Sequence, residues 1–295
     1  GILVGSVVDA GQPYTGDLFS NTDGTANPDD VLRGTDGKDK IWAGTEGNDT
    51  ISSGAGRDRI CFGDGDAWVD AGAGNDFVYA AGAGGGTNII DLGTGNDKFR
   101  ARAGDNIVTS TSGNNNIRIG SGNDIVTLGD GNDNVKVFNN GGGINVIDLG
   151  GGNDKFRARK GDNTVTSASG NNDIVTGLGQ DTVTTGVGND FVKTGSGNDR
   201  LDLGTNSGGA ADFDTAFGQG GNDTFVLNEG TGFLTVGDFT QGEDLLEISG
   251  LTFGDLGTTT DMSRNSTWVS TTSGDVLAEL QGFTGTLMAN DVTVV

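Results

Sequence analysis

The sequence predicts an all-β solenoid of short parallel strands, and three observations carry that prediction. A nine-residue unit, G-x-G-N-D-x-Φ-x-x with Φ apolar, recurs through the middle of the chain. Glycine makes up 57 of 295 residues and proline only two, a balance that fits neither helices nor Pro-rich disordered chains. An apolar residue also stands two positions after almost every aspartate of the unit, which a Gly/Asp-rich linker has no reason to maintain.

Clear copies are Gly72 to Val78, Gly93 to Phe99, Gly120 to Val126, Gly129 to Val135, Gly186 to Val192 and Gly195 to Leu201. Each reads as a turn followed by a very short strand. Gly and Asn are expected to supply the positive φ angles of the turn, and x-Φ-x is β-branched or aromatic, as strands prefer. A three-residue strand burying one side chain cannot stand alone. It must stack on copies of itself, with two nine-residue halves making one solenoid turn.

Successive repeats then face opposite edges of the solenoid. One edge carries Asp39, Asp58, Asp76, Asp97, Asn115, Asp133, Asp154, Asn172 and Asp190. The other carries Asp30, Asp49, Ala67, Asn88, Asn106, Asp124, Asn145, Asn163, Asp181 and Asp199. Steps are nine residues, apart from one of ten and two of twelve, the latter at the extra glycines Gly84 to Gly86 and Gly141 to Gly143. These insertions lie 57 residues apart, and the segments NIIDLGTGNDKFRARAGDN and NVIDLGGGNDKFRARKGDN mark a duplicated block.

Composition narrows the function. With no histidine there is no His base, no HExxH zinc site and no Ser-His-Asp triad. GxSxG and P-loop patterns are absent too, so no enzyme activity is expected. A net charge of −24 disfavours nucleic acid and anionic lipid and favours cations. No apolar run reaches the 18 or so residues of a membrane span. Cys61, the single cysteine, has no partner for an internal disulfide and is expected to face outward.

Stacked turns bring carboxylates to about the strand spacing of 4.8 Å. At an effective dielectric of about 20, two charges about 5 Å apart repel by roughly 3 kcal/mol. Summed over several turns this exceeds the 5 to 15 kcal/mol stability of a typical domain. The stack therefore calls for cations. Carboxylate and carbonyl oxygens without imidazole or thiolate suit Ca²⁺, whereas Mg²⁺ holds its water too firmly. An EF-hand does not fit, because the segment at Asp130 has Val135 where that loop needs Gly.

The repeats from Asp30 to Leu201, with a later copy at Gly220 to Phe225, resemble the G-G-x-G-x-D-x-U-x nonapeptide of RTX proteins, which form a calcium-binding parallel β-roll. In that family each ion sits between consecutive turns on one side, held by Asp carboxylates and loop glycine carbonyls. Carried over, the resemblance implies a calcium set of Asp39, Asp49, Gly54, Gly56 and Asp58, then Gly72, Gly74, Asp76, Gly93, Gly95 and Asp97. It continues with Gly120, Gly122, Asp124, Gly129, Gly131, Asp133, Gly150, Gly152 and Asp154. It ends with Gly177, Gly179, Asp181, Gly186, Gly188, Asp190, Gly195, Gly197, Asp199 and Asp223. Because the second edge loses its carboxylates through its middle, a nearly continuous ion ladder is expected on the first edge. A gapped one, bridged by Asn pairs, is expected on the second.

Two identical KFRAR segments place Lys98, Arg100 and Arg102, then Lys155, Arg157 and Arg159, outward by strand alternation, with Phe99, Ala101, Phe156 and Ala158 inward. The two are expected to form one basic patch. It suits an acidic polysaccharide or an acidic face of a neighbouring subunit, or else balances charge on an exposed sheet.

Residues 1–29 read as an N-terminal cap, 30–201 as the β-roll, and 202–295 as a β-rich C-terminal cap. That last region is similar to the segment following the rolls of serralysin-type proteases and alginate epimerases, and NDVTVV resembles the terminal signal of type I secretion substrates. The resemblance implies a secreted, non-catalytic calcium-binding protein of the cell surface or extracellular matrix, exported by a type I apparatus and able to self-associate. The alternative is the accessory and secretion module of a larger enzyme or adhesin contacting an acidic polysaccharide.

Overall fold

The computed structural model describes residues 29–82, 85–138, 142–204, 212–230 and 232–295, with the backbone of two earlier strands, Val7–Asp9 and Asp17–Phe19. Among the described residues it is all-β apart from two single-turn 3₁₀ segments, Phe253–Asp255 and Ala289–Asp291. The chain divides into two compact units, residues 1–150 and 151–295.

Unit 1 is a parallel solenoid of two long sheets, with a third, two-stranded pairing of Ala55–Gly56 and Ala73–Gly74 in the loops. The first runs in the order Val7–Asp9, Val31–Arg33, Thr50–Ser52, Trp68–Asp70, Thr87–Asp91, Asp105–Thr109, Ile125–Thr127 and Ile144–Asp148. The second runs Asp17–Phe19, Lys40–Trp42, Arg59–Phe62, Phe77–Ala80, Lys98–Ala101, Asn116–Ile119 and Asn134–Val137. The chain visits the sheets alternately, so each full turn contributes one strand to each, as the nine-residue period requires. The expected cap at residues 1–29 lies outside the described residues except for its two strands, which pair in parallel with the first repeats.

The apolar Φ positions set the register. In the first sheet Leu32, Ile51, Val69, Ile90, Val108, Val126 and Ile147 pair in sequence. In the second Ile41, Ile60, Val78, Phe99, Ile117 and Val135 do the same. All thirteen are at most 2% exposed, so the core is two facing columns of single side chains. A one-residue slip would turn a whole strand's column outward.

Unit 2 repeats the arrangement. Asp162–Thr166, Thr182–Thr184, Arg200–Asp202, Thr224–Leu227, Leu245–Ile248 and Val292–Val294 form one sheet. Lys155–Arg157, Asp173–Leu178, Phe191–Ser196, Asp212–Gly220, Gly232–Val236 and Val276–Gln281 form the other. Parallel stacking thus carries on beyond Leu201. What distinguishes the C-terminal region is a meander, in which Ser266–Thr271 pairs antiparallel with both Val276–Gln281 and Leu256–Asp261.

Candidate calcium-binding edges

The loops pack so closely that glycine is mandatory. Gly74 has φ +149°, and a Cβ there would lie 1.4 Å from the Gly56 carbonyl oxygen; one at Gly95, with φ +128°, would lie 1.5 Å from that of Gly74. Backbone of the preceding turn comes equally near, within 2.5 Å of a built Cβ, at Gly54, Gly56, Gly72, Gly93, Gly120, Gly122, Gly129, Gly131, Gly150, Gly177, Gly179, Gly186, Gly188, Gly195 and Gly197.

Many loops close on an Asn-Asp pair, as at Asn75-Asp76 and Asn96-Asp97, whose side chains clasp opposite neighbours. The Asp reaches back: Asp58 Oδ1 accepts the Asp39 N–H at 2.8 Å, Asp76 Oδ1 that of Asp58 at 2.7 Å, and Asp97 Oδ1 that of Asp76 at 2.7 Å. The Asn reaches forward: Asn75 Oδ1 accepts the Asn96 N–H at 2.8 Å, and Asn96 Oδ1 that of Asn114 at 2.6 Å. Unit 2 follows suit, with Asp181 Oδ1 accepting from Asn163, Asp199 Oδ1 from Asp181, and Asn171 Oδ1 from Asn189. The Asn therefore acts as a rung between turns. It does not take the left-handed conformation expected of it, since Gln219 and Asn265 are the only non-glycine residues with positive φ among those described.

The second carboxylate oxygen is where the edge is incomplete as protein alone. Oδ2 of Asp58, Asp76, Asp97, Asp124, Asp181, Asp190 and Asp199 is buried without a hydrogen-bond partner, in residues at most 2% exposed. An ionised oxygen so placed is strongly unfavourable unless a cation meets it.

Asn turns show what completes the arrangement. Asn106 Nδ2 donates to the Gly104 carbonyl at 2.8 Å and to Asp124 Oδ1 at 2.7 Å. Asn163 donates likewise to Gly161 and Asp181, and Asn172 to Gly170 and Asp190. Asn115 Nδ2 donates to the Gly113 carbonyl, and Asn88 Nδ2 donates to Asn106 Oδ1. The amide donor bridges the carbonyl of the glycine two residues earlier and the acidic oxygen of the next turn. An Asp in that place turns an oxygen toward the same acceptors, leaving a space lined by oxygens alone. Such a donor set fits a hard cation.

This comparison separates the paired glycines. Carbonyls of the first glycine are engaged in stacking, with Gly54 accepting from Ala73, Gly72 from Thr94 and Gly93 from Thr111. The second glycine, as at Gly56, Gly74 and Gly95, holds the position whose carbonyl the Asn amide seeks. Among the described residues no three acidic or cysteine side chains converge as a metal cluster. A site here needs backbone carbonyls beside its carboxylates.

Burial dominates the acidity of these groups. It lifts Asp76 to about 7, with the negative neighbours Asp58 and Asp97 adding to the rise and the Asp58 N–H opposing it. Burial raises Asp97, Asp124, Asp133, Asp190 and Asp199 to about 6, and Asp49 and Asp223 to about 7. Asp58 and Asp181 are shifted upward for the same reason. Asp39 differs in geometry, because its Oδ2 accepts the Thr35 N–H at 2.7 Å and the Thr35 hydroxyl at 3.0 Å.

The ladder also extends past the repeats read from the sequence. Asp154 N–H donates to Asn172 Oδ1, Asp190 N–H to Asp214 Oδ1 at 2.7 Å, and Asp223 N–H to Asp244 Oδ1 at 3.0 Å. Asp214, pushed up to about 8 chiefly by burial, has a signal in the sequence: it stands nine residues before Asp223.

The two KFRAR copies have the expected alternation, with Phe99, Ala101, Phe156 and Ala158 buried. Their surroundings differ. Arg157 in unit 2 makes an ion pair and hydrogen bond with Asp173, whereas in unit 1 Lys98 and Arg100 lie beside Asn116 and Arg118. Arg102 and Arg159 are exposed. Cys61 is half-buried between Trp42 and Tyr79 on the outer face, and burial raises its thiol pKa.

The family model for the RTX calcium-binding nonapeptide repeat, which spans four copies, matches residues 29–60, 43–68, 82–117, 103–135, 139–174, 175–206 and 209–234. Those spans cover more than half of the chain. No curated protein matches it. No helix among the described residues is long and apolar enough to cross a membrane. Stacked G-x-G-x-D loops, buried carboxylate oxygens lacking donors and the family match agree: the chain belongs to the RTX family and is a β-roll protein that binds several calcium ions along its repeats.

Proposed function

We propose that this protein is exported as an unfolded chain by a type I apparatus and folds outside the cell, where calcium is plentiful. It then serves at the cell surface or in the extracellular matrix without catalysing a reaction. The observation that carries this reading is the set of buried, donorless Oδ2 atoms on both edges. Ions that bind the folded chain and not the unfolded one shift folding by mass action, so calcium level becomes the folding switch.

The last strand supports the order of events. Val292–Val294 pairs in parallel with Leu245–Ile248, and Asp291 is 1% exposed, its Oδ2 accepting from Met288 N–H and Gln241 Nε2. Within the stretch resembling an export signal, Asp291 and Val292 are thus buried in the folded unit while Asn290, Val294 and Val295 stay exposed, so the whole stretch is open to recognition only before folding. Absence of histidine and of nucleophile and nucleotide motifs supports the non-catalytic role.

A reporter fused ahead of residues 202–295 and coexpressed with a type I exporter tests the export step. Secretion that stops when the last six residues are deleted is the expected result. Secretion unchanged by that deletion would refute a role for the terminal motif. The folding switch is tested separately by calcium titration of the purified chain.

A further inference from the structure

We propose that the outer face of the second sheet of unit 1 binds a linear anionic polysaccharide bearing carboxylate or sulfate groups. Two outward rows cross that sheet. One carries Arg59, Phe77 and Lys98 on successive strands; the other carries Tyr79, Arg100, Arg118 and Lys136. Consecutive rungs lie about 4.8 Å apart, so the cations form a straight track rather than a pocket.

These charges have no carboxylate partner among the described residues. In a chain with 41 acidic residues, no carboxylate lies within 4.0 Å of the side-chain nitrogens of Arg59, Lys98, Arg100, Arg118 or Lys136 among the described residues. Arg100, Arg118 and Lys136 are direct cross-strand neighbours, an arrangement of like charges that destabilises a sheet. Charge balancing would place carboxylates among them, which is what the duplicated segment does with Arg157 and Asp173. Two copies of one sequence block have therefore diverged in their next strand, Asn116 and Arg118 in one, Asp173 and Val175 in the other. In the second copy the central arginine, Arg157, is taken up by Asp173, whereas its counterpart Arg100 has no carboxylate beside it among the described residues and stays available to an external anion.

Aromatic rings select the kind of anion. The Arg100 guanidinium lies 5.8 Å from the Tyr79 ring centroid and 5.6 Å from that of Phe138, and Arg59 lies 5.6 Å from Phe77. Held over rings, the planar guanidinium keeps a fixed edge for bidentate bonds to carboxylate or sulfate. Phe77 and Tyr79 leave part of their surface open beside the cations. A chain of pyranose rings has apolar faces and pendant anions at short regular intervals, matching both features. A nucleic-acid duplex would present one negative charge per about 1.7 Å to a body of net charge −24, and lacks apolar ring faces turned outward along its length.

The test uses the full chain in saturating calcium, with chondroitin sulfate as the probe, dextran as the neutral control and a single-stranded oligonucleotide as the competing polyanion. Binding of chondroitin sulfate that weakens with salt, and no binding of dextran, is expected. Arg100→Glu with Arg118→Glu should lower affinity at least about tenfold and flatten the salt dependence. Arg159→Glu, in the second copy, should leave it within about twofold. Calcium-dependent circular dichroism of each variant keeps folding separate from binding. Unchanged affinity in the folded double variant, equal loss with Arg159→Glu, or oligonucleotide binding as tight as that of the glycan would each overturn the assignment.

Discussion

Calcium removal should make the fold depend on pH in a direction opposite to ordinary acid denaturation. Asp97, Asp124, Asp190 and Asp199 sit at about 6 in the metal-free fold, and Asp76 at about 7, against 3.8 for an unperturbed group. A carboxyl whose folded pKa is raised gives its full contribution below the unfolded value and loses it as pH climbs through the folded one. A rise from 3.8 to about 6 corresponds to about 3 kcal/mol. Halved for the water that reaches a thin loop, this is about 1.5 kcal/mol per group. Five such groups cost about 8 kcal/mol above pH 7, within the 5 to 15 kcal/mol that holds a whole domain. Chain stripped on a chelating resin should therefore be expanded and poor in β signal at about pH 8, and should regain compactness near pH 5. Calcium should restore the fold at pH 8. Circular dichroism with sedimentation velocity reads both changes. A stripped chain as compact at pH 8 as the loaded one, or firmer there than at pH 5, would refute the reasoning.

Three further outcomes follow from named contacts. Asp97→Asn should lower the calcium stoichiometry by about one ion in equilibrium dialysis while making the metal-free chain more stable by about 1 kcal/mol, because the unpaired Oδ2 is then replaced by an amide N–H donor, as in the Asn turns. Gly95→Ala should weaken the calcium-loaded fold by at least about 2 kcal/mol in denaturant titration, from the positive φ and the clash with the Gly74 carbonyl. Phe99→Ala, emptying one of the largest fully buried positions, should cost about 3 to 5 kcal/mol in the same measurement.

Much of the architecture was legible because its period is short and strict. Φ marks the buried column, and counting by nines sorts Asp76 and Asp97 to one edge and Asp124 and Asp199 to the other, as the sheets confirm. The calcium chemistry followed from what the residues are. The division of labour inside each loop was hidden, since Asn is suited both to a left-handed turn and to a hydrogen-bonded rung, and composition does not choose between them. Asp214 escaped because 24 residues separate it from Asp190 where the period asks for 18, although its spacing to Asp223 keeps time. The inequality of the two KFRAR copies lies in residues 18 positions downstream, which become neighbours only once the turns stack.

The forward and backward clasps bear on how such a chain changes over generations. A single substitution at a loop glycine meets the backbone of the adjoining coil, so point variation there is nearly closed. A whole coil copied into the gene arrives with its own inner apolar residue, its Asn and its Asp, and joins the column on either side without altering it. Growth by copying is thus structurally tolerated where letter-by-letter revision is not, and the 57-residue echo in this sequence is the trace of that route.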